Sequence, residues 1–179
     1  LVLVKVSQLI CDIPEIQEME INPLAADGGG VVARGARCRV AAASMPGLDR
    51  MAIRPYPKEL EETISLPYGQ KLLLRPIRPE DEPAYHRLFA SLPAEDIHMR
   101  FMNPMRLLPR SLAARLTQID YDREMALVLA GETSAGEVEL YGGVRISADP
   151  DNERAEFAIL LRREMTGLGL GPMMMRRII

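Results

Sequence analysis

The sequence predicts an α/β (α+β) chain: a mixed, mainly antiparallel sheet with flanking helices, preceded by a separate β-hairpin. Three observations carry this. Residues 70–179 run in the order strand, helix, helix, three strands, glycine-rich loop, helix. Residues 41 to about 66 lose periodicity and collect Pro46, Gly47, Pro55 and Pro57, with Pro67 just beyond, which is the composition of a linker. Ahead of them, two strand-like runs flank Asp27-Gly28-Gly29-Gly30. The division read from this is 1–45, a linker over 46–69, and a main domain over 70–179.

Residues 1 to about 12 read as the end of a helix. Glu18 to Ala26 reads as a strand with Met19, Ile21 and Leu24 apolar, and Val31 to Val40 as its hairpin partner. The glycines between them take positive φ without steric cost. In the main domain Lys71 to Arg75 is a short strand, punctuated by Pro76 and Pro79. A helix begins near Glu80, where Glu80, Asp81 and Glu82 meet the positive end of the macrodipole. Tyr85, Leu88, Phe89 and Leu92 share one of its faces. A second helix covers about Arg110 to Ile119. The strands Met125 to Ala130, Val138 to Ile146 and Arg154 to Leu161 are joined by turns at Gly131 to Gly136 and at Asp149-Pro150-Asp151-Asn152.

Composition narrows the functional classes. Of 179 residues 47% are hydrophobic, yet aromatics are 4% and Trp is absent, so aliphatic residues and 11 Met fill the core. The net charge is -3 with no basic block, so bulk electrostatics offer no case for a nucleic-acid partner. No apolar run approaches the ~20 residues of a membrane helix, so no membrane partner is expected. Lys5 interrupts Leu1-Val2-Leu3-Val4, so no signal peptide is read. Cys11 and Cys38 lack metal-like spacing and read as reduced thiols of a cytoplasmic protein. The chain opens on Leu1 inside an apolar pattern and closes on Arg176-Arg177-Ile178-Ile179 within a helix, without a stop signal. An internal piece of a longer polypeptide is expected.

The chemistry concentrates at Thr166-Gly167-Leu168-Gly169-Leu170-Gly171. The apolar run Ala158-Ile159-Leu160-Leu161 leads into it and Pro172 to Ile179 reads as a helix after it. Strand, glycine turn and helix N-terminus together make an anion site, because free N–H groups and the helix dipole converge where no side chain blocks a phosphate. Pro172 suits an early helical position, whose N–H is not needed. Pro172 also replaces the third glycine of a dinucleotide fingerprint, and no Gly-Lys-Ser/Thr follows as in a P-loop. Taken alone, the triplet is equally a flexible turn.

In its context, the loop resembles the Q/R-x-x-G-x-G/A segment of the GNAT acyltransferases. Gly169 and Gly171 match, whereas Thr166 stands where that family has Gln or Arg. The resemblance implies that the amides of Thr166, Gly167, Leu168, Gly169, Leu170 and Gly171 hold the pyrophosphate of acetyl-CoA. It also implies that Ile159, Leu160 and Leu161 pair with the pantetheine arm as with an added strand. A complete domain of that family continues past its third helix, so the chain is expected to be incomplete at its C-terminus and a poor catalyst alone.

Acyl transfer to lysine needs a neutral amine, and the free side chain has a pKa of ~10.4. A carboxylate in an apolar setting takes such a proton directly or through water. Glu156, in Ala155-Glu156-Phe157-Ala158, is the candidate, and a glutamate on this strand is the usual base of the family resembled. The residues alone also allow a solvated strand-face Glu156 with Arg154 as neighbour. Glu153 and Glu164 lie in or near turns and are weaker candidates. His86 and His98 have no ligand spacing and read as structural; Met173-Met174-Met175 reads as core filler.

Glu18-Met19-Glu20-Ile21-Asn22-Pro23-Leu24 resembles the end of the ATP-grasp subunit of NDP-forming acyl-CoA synthetases. There the Glu and Asn of Glu-x-Asn-Pro ligate a nucleotide-bound Mg²⁺, a role that would fall to Glu20 and Asn22. The next strand, Val31-Val32-Ala33-Arg34-Gly35-Ala36-Arg37, has Gly35 where that family has a ligating Asp, and Arg34 adds a cation. The metal site is therefore read as degenerate and Mg-ATP chemistry as weak or absent. The two blocks together resemble bacterial protein lysine acetyltransferases of the Pat type, with Leu74-Arg75-Pro76-Ile77-Arg78-Pro79-Glu80-Asp81 and Met99-Arg100-Phe101 in keeping. That resemblance implies an acetyl-CoA-dependent enzyme acting by direct attack on a protein lysine of acyl-CoA synthetases. Two alternatives stand beside it: a non-catalytic acyl-CoA sensor governing a synthetase, and a small-molecule amine acetyltransferase.

Overall fold

The structure is a computed structural model that describes residues 2–51, 54–121, 123–149, 151 and 153–179. Leu1, and Pro150 and Asn152 of the expected turn, lie outside the described residues. The chain divides into two compact units, residues 1–55 and 56–179.

In the first unit, helix α1 (Val2–Asp12) precedes strands β1 (Ile16–Ile21), β2 (Leu24–Asp27), β3 (Gly30–Ala33) and β4 (Ala36–Val40). β1 pairs with β4 and β2 with β3, both antiparallel. This is the expected hairpin, with each arm interrupted once. Pro23 has no N–H to donate to a ladder, and the arms are stitched across the break by Asn22 N to Gly35 O (3.0 Å) and Arg34 N to Pro23 O (3.0 Å). Arg50, in a 3₁₀ turn, donates to the carbonyls of Pro14 (2.6 Å) and Ile16 (3.0 Å). Cys11 and Cys38 are free thiols.

The second unit holds β5 (Glu62–Ser65), β6 (Lys71–Pro76), α2 (Glu82–Ser91), α3 (Ala94–Phe101), α4 (Arg110–Thr117), β7 (Glu124–Glu132), β8 (Val138–Ala148), β9 (Ala155–Leu161) and α5 (Leu170–Ile178). The sheet runs β5-β6-β7-β8-β9, antiparallel throughout. Two elements escape the sequence pattern. β5 lies inside the stretch read as linker, where Tyr56 and Glu61 are also tied to the second unit: Arg78 donates to Glu61 (2.5 Å) and stacks on the Tyr56 ring (4.5 Å to the centroid). α3 is a further helix whose single fully apolar-facing anchor is Ile97.

The sheet separates two cores. Ala126, Val128 and Ala130 of β7 face α2, α3 and α4, packing with Leu88, Phe89, Ile97, Leu116, Leu140 and Leu160. Leu127 and Leu129 face the other way, toward Leu72, Leu74, Val144 and the α5 residues Leu170 and Met174. Met174 is fully buried and Met173 and Met175 pack beside it, so the methionine triplet is core. Strand alternation explains both faces, with one break. Leu129 is opposite Gly142 while Ala130 is opposite Leu140, so Tyr141 is an extra residue, a bulge in β8.

Of the acidic turn expected to open the first helix, Glu82 does stand in the first turn of α2, whereas Asp81 has a different use. α2 starts one residue after Asp81, and Asp81 is buried. Its carboxylate accepts two bonds from the buried Arg75 guanidinium, both 2.7 Å, and a third from the Arg78 N–H at 2.8 Å. Arg75 also donates to Pro76 O at 3.1 Å. Removing one member of such a pair strands a charge where water cannot reach it, at about 3–5 kcal/mol. Asp81→Ala should therefore lower the unfolding free energy of the second unit by that amount in urea titration. The paired replacement Arg75→Met with Asp81→Leu should recover most of the loss.

Candidate active site

A groove of about 950 Å³ runs along β9, walled by α3, α4, β8, Thr166 and Gly171. Strand register sets out its floor. Glu124, Ser147 and Glu156 form one cross-strand row, and Ala126, Arg145 and Ala158 the next. All six point to the face that carries α2 to α4, because the Tyr141 bulge shifts the alternation of β8 by one residue.

Arg145 is the organising charge of this floor. It donates to Glu124 Oε2 at 2.5 Å and to the carbonyl of Leu116 in the last turn of α4. A cation there meets the negative end of the helix dipole. Burial pushes the Arg145 pKa down, against Tyr85 and Glu124, which raise it.

Glu156 lines the groove, but it is exposed, and the ring of Phe157 beside it is 64% exposed. The apolar flanks in the sequence therefore do not make an apolar setting. β9 is the outermost strand among the described residues, so nothing covers Ala155 to Phe157. The far edge of β9 has no strand partner among the described residues. Ile159 and Leu161 pack toward α5 and Leu160 toward α2 to α4, so their side chains anchor the strand while its backbone edge stays open.

The glycine loop has free amides and open space around it. Gly167 (φ +77°) and Gly169 (φ +75°) are left-handed, a conformation in which a side chain is strained, and open space surrounds both. Gly169 caps α5. Met173 N donates to Gly169 O (3.2 Å) and Thr166 N to Arg163 O (3.1 Å), while the N–H groups of Gly167, Leu168, Gly169, Leu170 and Gly171 have no acceptor among the described residues. Five free donors at a helix N-terminus suit a pyrophosphate. Thr166 differs from its neighbours, since its hydroxyl also donates to Arg163 O, at 2.6 Å. Leu170 is in the core, so only its amide is offered.

The remaining sequence candidates are dispersed. Glu20 and Asn22 are exposed on the first unit's hairpin. A Cβ at Gly35 would stand 2.8 Å from Asn22 O, so no carboxylate fits opposite them without moving the strand. No group of three or more His, Cys, Asp or Glu suited to a metal is found among the described residues. His86 lies 3.9 Å from Glu82 on α2 and His98 is exposed. Tyr85, Arg100, Glu124, Arg145 and Ser147 were not singled out from sequence as site residues. The available signals were a phenol on the apolar face of α2 and a cation inside the run Val144-Arg145-Ile146.

Comparison with known proteins bears on the fold that carries this groove. A family model described as an ATP-grasp domain matches residues 1–40. Acetyltransferase PA5475 of Pseudomonas aeruginosa is 30% identical over 115 residues, or 64% of this chain and 61% of that protein. The chain thus spans about three fifths of that relative's length. The crystal structure of the GNAT domain of S. lividans PAT superposes with a TM-score of 0.58 at 23% identity, covering 69% of this chain and 72% of the other. The sheet with helices on both faces, expected as mixed and mainly antiparallel and antiparallel throughout among the described residues, is accordingly the GNAT acetyltransferase fold.

Proposed function

We propose that the protein moves the acetyl group of acetyl-CoA to a lysine amine of a protein, and that acyl-CoA synthetases are its targets. One observation carries the reading: an open strand edge and an ionisable side chain, Glu156, share one groove with Thr166 and Gly171, and the run of five unbonded amides at a helix N-terminus ends at that Gly171. The Gly167 to Gly171 amides would hold the CoA pyrophosphate and the edge of Ile159 to Leu161 the pantetheine arm, with Thr166 contributing less because its amide is already engaged.

The lysine nitrogen attacks the thioester carbonyl, the C–N bond forms, and the CoA sulfur leaves with the electrons of the C–S bond. Glu156 takes the amine proton, directly or through water. The groove lining contains no cysteine, which favours direct attack over an acyl-enzyme. Residues 1–45 would be the end of an ATP-grasp module, joined through 46–69 to the transferase domain, in a cytoplasmic protein. That module is read as without Mg-ATP chemistry, since Gly35 denies Glu20 and Asn22 a third oxygen ligand. The exposure of Glu156 favours one second reading, an acyl-CoA sensor that binds without transferring.

Two variants separate these readings. Glu156→Gln should lower kcat with lysine peptides by on the order of 10²- to 10⁴-fold while calorimetry shows acetyl-CoA bound as in the parent; undiminished turnover would remove Glu156 from the role, and binding without any transfer by the parent would favour the sensor. Gly169→Ala places a Cβ at a φ of +75°, a strain of about 1 kcal/mol, and should weaken acetyl-CoA about fivefold in the same titration. Titration with Mg-ATP should give no saturable heat.

A further inference from the structure

β9 hands over to the glycine loop at Arg162, whose guanidinium is held by three side chains. Nη2 donates to Glu139 Oε1 on β8, Nη1 lies 3.8 Å from Glu164, and Cζ lies 5.3 Å from the centroid of the Tyr141 ring. The Arg162 and Glu139 side chains are 13% and 15% exposed. The second Glu139 oxygen lies 3.8 Å from Arg87 Nε, and Arg87 donates to Val138 O at 2.7 Å, so α2 holds the carboxylate in turn. The backbone is tied at the same place. Arg162 N–H donates to Tyr141 O (2.9 Å), just past the last ladder pair of Leu161 and Gly142. The extra residue of β8 thus offers both its ring and its carbonyl to Arg162. Arg162 O accepts from Met165 N–H (2.9 Å) across the 3₁₀ turn Arg163–Met165, Met165 is buried, and Thr166 follows.

Stability alone does not account for this pair. Arg162 Nε is buried and makes no hydrogen bond, the one such side-chain atom among the described residues. Two largely covered charges roughly break even against apolar side chains of similar size, and a stranded donor weighs further against them. What the pair offers is direction, since a guanidinium and a carboxylate accept few mutual orientations. Beyond it, Gly167 and Gly169 stand in open space with unbonded amides, so the loop has little of its own to hold it. Amides bind an anion most tightly when they are already in place, because no ordering cost is left to meet on binding.

We infer that Glu139 is a positioning residue for the glycine loop: through Arg162 it fixes where β9 ends, and so where the Gly167 to Gly171 amides lie for the pyrophosphate of acetyl-CoA. The inference rests on reading that loop as the pyrophosphate site. Neither Glu139 nor Arg162 is among the residues lining the groove, so both act through the backbone they hold and not by touching the ligand.

The test sets acetyl-CoA against acetyl-pantetheine, which carries the same thioester and arm but no pyrophosphate, in calorimetric titration of the chain. Glu139→Gln should weaken acetyl-CoA about tenfold and leave acetyl-pantetheine within about twofold. The paired replacement Glu139→Leu with Arg162→Met removes both charges, and should melt no lower than the parent while losing the same acetyl-CoA affinity. Should Glu139→Gln lower the melt, this double variant decides, because a pair that served stability alone would leave it with the parent's affinity. Parent affinity for acetyl-CoA in the double variant, or an equal loss for both ligands, overturns the positioning role and leaves the loop reading intact. A parent that binds acetyl-CoA no tighter than acetyl-pantetheine removes the pyrophosphate reading of the loop, and this inference with it.

Discussion

The buried contact between Arg75 and Asp81 is the constraint on which the second unit depends. Arg75 sits in β6, and Asp81 sits where the chain leaves the sheet for the helical layer. A bidentate pair in a dry setting has one geometry, so it sets the angle at which α2 departs. α2 then supplies Tyr85, Leu88 and Phe89 to the core. Hydrophobic burial drives the packing, but many packings bury similar area. An ion pair that loses several kcal/mol when displaced selects one of them.

Backbone and side chains divide the work at the groove. The glycine loop offers backbone amides, and that offer survives any sequence that permits the left-handed turns at Gly167 and Gly169. The floor is the opposite case, where Glu124, Arg145, Ser147 and Glu156 present side chains whose facing depends on register across three strands. The same fold therefore presents a backbone-built surface beside one built from side chains.

Much of this organisation was legible from residues alone. Periodicity located β6 to β9, α2, α4 and α5, and the glycine triplet marked the loop, because these signals are local. β5 was hidden: Glu62 to Ser65 is short, lies among prolines, and becomes a strand only by pairing with β6. α3 was hidden because one turn of apolar contact at Ile97 leaves little amphipathic pattern. Asp81 read as a dipole partner, since its true partner Arg75 is brought to it by the fold. The setting of Glu156 was misread for a related reason. Apolar neighbours along a strand report what the adjacent side chains are, and burial depends on what packs over them, which for Ala155 to Phe157 is nothing among the described residues.

The extra residue at Tyr141 has a consequence that composition does not disclose. Before it, Leu140 faces the helices; after it, Arg145 and Ser147 do, and Val144 faces α5. The polarity of the groove is thus written as a count. Deleting one residue between Leu140 and Gly142 would leave every charged group of β8 in the chain but turn Val144 and Ile146 toward the groove in their place. A length change of one would convert a polar floor into a greasy one. In this fold, the chemistry of the groove can be rewritten by a frame of spacing as readily as by the choice of amino acid.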